Sequence, residues 1–118
     1  MKIKKIAELL DAEILCGEEN LENEVLSACG SDMMSDVLAY VKDQAVLLTG
    51  LANPQVVRTA IMMDMRCIVF VRGKQPSQDI IDLAEDAGIV VMKSEHRMYL
   101  ACGLLYANGL TGGSVDCE

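Results

Sequence analysis

Three apolar runs decide the fold: Ala45-Val46-Leu47-Leu48-Thr49, Cys67-Ile68-Val69-Phe70-Val71 and Ile89-Val90-Val91-Met92. Each is short, uncharged and rich in aliphatic or β-branched residues, the pattern of a strand covered on both faces. Between the first two, Asn53-Pro54 opens a helix. Asn accepts a hydrogen bond from a free first-turn amide, and proline at the first helical position lacks the amide that would go unpaired. That helix is expected to reach Asp64 or Met65. Between the second and third runs, Pro76-Ser77 starts a helix with Ile80, Ile81, Leu83, Ala84 and Ala87 facing inward. Gly88 supplies the left-handed residue that commonly ends one. Beyond the third run, Ser94 is read as the cap of a last helix through about Ala107, stopped by Asn108-Gly109. Strand and helix alternate with loops of a few residues, which implies right-handed βαβ crossovers and a parallel sheet.

Upstream of this block, Ile3, Ile6, Leu9 and Leu10 stand at helical spacing. Residues 12–16 then read as a strand ending at Gly17, residues 18–24 as an acidic surface connection, and residues 25–29 as a second strand ended by Gly30. Ser31 or Asp32 can cap a helix to about Val41, with Met33, Met34, Val37, Leu38 and Val41 as its apolar face. The expected fold is therefore α/β: a small, mostly parallel sheet of about five strands flanked by helices, with βαβ units in the C-terminal two thirds. A chain of 118 residues suffices for one core. Residues 1–109 form that single domain. Residues 110–118, with Thr111-Gly112-Gly113-Ser114, have little apolar content and are expected to be a frayed tail.

Composition excludes several functions. The net charge of −8 repels the phosphate backbone whose neutralisation supplies most nucleic-acid affinity. Phe70, Tyr40, Tyr99 and Tyr106 are the whole aromatic set, which offers no stacking platform for single-stranded bases. No apolar run approaches the ~20 residues that cross a bilayer. Glu8, Asp11 and Glu13 interrupt the N-terminal region before a signal-like apolar stretch, so a cytoplasmic location is expected. The five cysteines, at 16, 29, 67, 102 and 117, show neither zinc-site spacing nor a disulfide framework. They read as small hydrophobes in a reduced compartment, with Cys117 exposed. No cofactor or metal site is expected.

The candidate site follows from topology. In a parallel sheet the loops after the three central runs meet at one edge, where open α/β folds bind ligands. The loops contribute Thr49, Gly50 and Asn53; then Arg72, Gly73, Lys74 and Ser77; then Lys93, Ser94 and Arg97. Helix N-termini bias this edge toward anions, and Arg72, Lys74, Lys93 and Arg97 add full charges, so an anionic metabolite or nucleotide is the expected ligand class. His96, beside Glu95, is placed in the first turn of the last helix. No nucleophile, base and oxyanion set can be assembled around it, and no enzymatic activity is expected. Met33-Met34 and Met62-Met63-Met65 cannot all face one core, because adjacent helical positions are about 100° apart. Exposed thioethers there suit a homodimer or partner interface.

Between positions 48 and 106 the sequence resembles a known family. Thr49-Gly50, Asn53-Pro54-Gln55, residues 68–71 closing on Gly73, Pro76-Ser77, and Leu83-Ala84-Glu85-Asp86-Ala87-Gly88-Ile89-Val90-Val91 together resemble a DRTGG domain. The opening Ile6-Ala7-Glu8-Leu9-Leu10 and Leu15-Cys16-Gly17 are similar to the start of the same module and to the N-terminal domain of HPr kinase/phosphorylase. Leu51-Ala52-Asn53 stands where the family commonly has an Asp-Arg pair, and Val71-Arg72-Gly73 where it has Thr-Gly-Gly. The resemblance implies an accessory regulatory module without catalytic residues, often at a subunit interface, acting as a homodimer or on a metabolic or signalling partner.

Overall fold

The computed structural model describes residues 1–40 and 44–112. In chain order the elements are α1 (Ile3–Leu10), β1 (Glu13–Cys16), a 3-10 turn (Glu18–Asn20), β2 (Ser27–Gly30), α2 (Met34–Tyr40), β3 (Ala45–Thr49), α3 (Pro54–Met62), β4 (Cys67–Phe70), α4 (Gln78–Asp86), β5 (Val90–Lys93) and α5 (Met98–Ala107). The apolar runs are the central strands of one five-stranded sheet ordered β1-β5-β4-β3-β2. Pairs β2·β3, β3·β4 and β4·β5 are parallel. Only β1 runs antiparallel, along β5, with its register broken between Ile14 and Cys16.

Alternation along the buried strands sends side chains into two cores. Leu47, Ile68, Phe70 and Val91 pack against α2, α3 and α4 on one face. Val46, Leu48, Cys67, Val69, Val90 and Met92 meet α1 and α5 on the other. Every residue of β3 and β4 is buried. No helix among the described residues is long and apolar enough to cross a membrane.

Local signals account for most boundaries. Asn53 Oδ1 accepts from Gln55 N at 2.8 Å ahead of Pro54, and Gly88 takes φ 75° at the end of α4. Four details differ from the sequence reading. First, α3 ends at Met62, because Met63 leaves helical geometry and Asp64 turns left-handed at φ 54°. Second, Ala87 is exposed, since it lies past the last turn of α4. Third, Met34 and Val37 are buried in α2 while Met33 and Leu38 are exposed, so the apolar face is narrower than expected; Val41 lies outside the described residues. Fourth, the boundary at 109 shifts. Leu110 is 4% exposed within the α1/α5 core, and Ala28 N donates to Thr111 O at 2.9 Å, closing the free edge of β2. An apolar residue three positions past α5 returns to the core and carries the next carbonyl to an unpaired strand amide. Residues 113–118, including Cys117, lie outside the described residues.

The thiols of Cys16 and Cys67 are buried, and those of Cys29 and Cys102 are half-buried. Burial raises all four above the ordinary cysteine range. They pack as small apolar groups.

Candidate functional site

Parallel strands bring the carboxyl ends of β2, β3, β4 and β5 to one edge. At the end of β3, Thr49 Oγ1 donates to Asp32 Oδ1 at 3.0 Å, and Gly50 N donates to the same oxygen at 2.7 Å. Thr49 Oγ1 also accepts from Leu51 N at 3.1 Å, so the buried hydroxyl is fully engaged. Asp32 arrives from the loop after β2. The local turn there is closed by Ser31, whose Oγ accepts from Met33 N at 2.9 Å, which leaves the Asp32 side chain free to reach β3.

After β4 the backbone turns left-handed at two successive residues, Arg72 (φ 61°) and Gly73 (φ 65°). This conformation costs a non-glycine residue roughly 1 to 2 kcal/mol. Two hydrogen bonds to the neighbouring loop hold it: Arg72 N donates to His96 O at 2.8 Å, and Gly73 N to Ser94 O at 2.9 Å. The Arg72 guanidinium lies over Gly50, where a Cβ would occupy the same space. Nη2 makes a long hydrogen bond to Gly50 O at 3.5 Å and stands 4.0 Å from Asp32 Oδ2.

After β5, Ser94 does not cap the last helix. Its buried hydroxyl donates to Leu10 O at 2.8 Å, satisfying one of the carbonyls left open at the end of α1, and accepts from His96 N at 3.2 Å. α5 starts at Met98 with Arg97 in the N-cap position, so His96 precedes the helix. The main role visible for His96 is that of a backbone acceptor for Arg72. Lys93 Nζ donates to Gln75 Oε1 at 3.2 Å and lies 3.9 Å from Glu13.

Of the ten residues singled out by sequence, the hydrogen-bonded network therefore unites Thr49, Gly50, Arg72, Gly73 and Ser94. Asn53 is used in capping α3. Ser77 sits at the N-cap of α4 without a side-chain bond, and Lys74 and Arg97 are exposed with no carboxylate within 4.0 Å among the described residues. Sequence reasoning missed the acids. Asp32 was read only as a possible cap, and the Glu95 carboxylate packs against Gly73. The edge is thus of mixed charge, with cations after β4 and β5 and an oriented carboxylate over β3. A pairing of acid to strand end needs the strand order, which no local signal carries.

Residues 5–106 match the family model described as the DRTGG domain. Among solved structures, the chain is similar to the crystal structure of the CBS and DRTGG domains of the regulatory region of Clostridium perfringens pyrophosphatase, complexed with activator, diadenosine tetraphosphate. The TM-score is 0.69 at 19% identity, over 88% of this chain and 45% of that one. This chain thus spans under half of the other, and at that identity the likeness speaks to fold. The curated proteins contain no match to the sequence.

Proposed function

The chain belongs to the DRTGG domain family, and from that membership we propose that it is a non-enzymatic regulatory module of the cytoplasm which senses an anionic small molecule at the loop edge of its sheet. The observation that carries this reading is Arg72. A left-handed, non-glycine residue is held to the loop after β5 by its own backbone bond and by that of the following Gly73, and its guanidinium projects at the edge with only long contacts. Strain of this kind persists where surrounding structure over-determines it, and it clusters at ligand sites. Lys74 and Arg97 add exposed positive charge alongside. A regulatory region containing a DRTGG domain, in the pyrophosphatase, binds a nucleotide, which makes nucleotides the first probes.

A thermal-shift screen of nucleotides and acidic metabolites tests the reading, run on the wild type and on an Arg72→Ala/Lys93→Ala double variant. An anion should raise the melting temperature of the wild type and act weakly on the variant. If no anion stabilises the wild type, or if both respond equally, the sensor reading fails.

Self-association is the second part of the reading. Met33 is exposed just ahead of α2 and Met62 at the end of neighbouring α3, while Tyr99, Leu100 and Tyr106 are exposed on α5, a helix without a charged residue. In a chain of net charge −8, such neutral surfaces are where a second copy or a metabolic or signalling protein meets least repulsion. The α5 surface adds to the methionine face expected from sequence.

A further inference from the structure

Resting on the anion reading of the loop edge, we propose that Asp32 makes this edge selective for phosphate esters that carry hydroxyl donors, of the nucleoside monophosphate kind, over inorganic phosphate and dicarboxylates.

The argument starts from how the carboxylate is held. Oδ1 is engaged twice, by Gly50 N at 2.7 Å and Thr49 Oγ1 at 3.0 Å, and these two bonds fix the orientation of the group over the end of β3. Oδ2 lies beside Arg72, whose Nη2 at 4.0 Å is beyond hydrogen-bond reach. Asp32 is about half exposed, so Oδ2 is an oriented acceptor on the ligand side of the edge. A carboxylate kept there accepts hydrogen bonds and repels anions.

The layout across the sheet then separates two functions. Strand order places Asp32 and Gly50 over β3, Arg72 and Lys74 after β4, and Lys93 and Arg97 after β5. Neighbouring strands lie about 4.8 Å apart, so Lys74, Lys93 and Arg97 start one to two strand spacings from the acceptor, while the Arg72 guanidinium reaches back to 4.0 Å from it. A pentose phosphate laid across the edge presents its phosphate to the cations and its hydroxyls to Oδ2. Inorganic phosphate can fill only the cationic half. A dicarboxylate that reaches across brings like charge onto Asp32, and Glu13 and Glu95 in the flanking strand and loop add to that repulsion.

Titration calorimetry with AMP, its 2′,3′-dideoxy analogue, inorganic phosphate and succinate tests this, on the wild type and on Asp32→Asn. Wild type should bind AMP at least about tenfold more tightly than the dideoxy analogue, the effect of losing a hydrogen bond to a charged acceptor. Asn at 32 keeps an oxygen for Gly50 and Thr49 but removes the charge. In that variant the AMP preference should shrink toward unity while inorganic phosphate binds equally or better, at an unchanged melting temperature. Equal binding of AMP and the dideoxy analogue by wild type overturns the role of Asp32 and leaves the anion reading standing. Absence of binding by every phosphate compound overturns both. Replacement by Ala separates fold from selectivity: if Asp32→Ala keeps the wild-type preference, the proposal is wrong.

Discussion

Arg72 and Gly50 share one space: the guanidinium lies where a side chain at position 50 would begin. The residue after β3 is glycine because the residue after β4 needs its surface. The Asp32 carboxylate, held by the Gly50 amide, stands next to that guanidinium.

Gly50→Ala should therefore displace the Arg72 side chain with little loss of fold. The obstructing atoms are the far end of a flexible side chain, so the stability change should stay within about 1 kcal/mol. Anion binding should fall to the level of Arg72→Ala. Calorimetry on the two variants, beside their melting curves, checks this.

Arg72→Gly should raise stability slightly, by up to ~1 kcal/mol, since glycine adopts the left-handed backbone without the steric cost. Binding should be lost all the same. A gain in melting temperature coupled to loss of anion response would identify strain kept for a ligand.

Stability should decline in alkali. Burial holds the Cys67 thiol protonated in the folded state well above its ordinary 9.0. Above pH 9 the unfolded chain releases this proton and the folded one retains it, so the unfolded state is favoured by roughly 1.4 kcal/mol per pH unit for this group. Below pH 9 the same thiol leaves stability unchanged. Urea titrations between pH 7 and pH 10.5, repeated on Cys67→Ala, should show a shallower slope in the variant, the remainder coming from the raised thiols of Cys16, Cys29 and Cys102.

Leu110→Ala should cost about 2 to 4 kcal/mol, the range for truncating a buried leucine. The side chain fills the α1/α5 core, and the next carbonyl covers the edge of β2. A change below about 0.5 kcal/mol would show that the domain ends at Gly109.

Wild-type protein sedimented at micromolar concentration should associate. Met62→Lys and Tyr106→Lys place a charge on the α3 and α5 surfaces respectively, and the interface is the one whose variant yields monomer. A wild type that is monomeric at all accessible concentrations removes the self-association reading.

The sequence by itself determined the strands, the starts of α3 and α4 and the parallel alternation, because those depend on neighbours within a few positions. Four apolar residues and a threonine at 45–49 have the pattern of a strand covered on both faces, and Asn53-Pro54 carries its cap in its own two side chains. It also located the edge where Thr49, Arg72 and Lys93 arrive, since parallel topology alone puts them there. Tertiary structure decided what each residue does at that edge. Ser94 has the spacing of a cap, yet burial against α1 gives its hydroxyl a stronger claim in the Leu10 carbonyl, 84 positions away. Asp32 also looked like a cap, but Ser31 closes the turn ahead of α2 and the Asp32 carboxylate crosses to Gly50. Which of several competent partners a polar side chain takes depends on what the fold brings within 3 Å and on what it removes from water. Those conditions exist only once strands distant in sequence lie side by side.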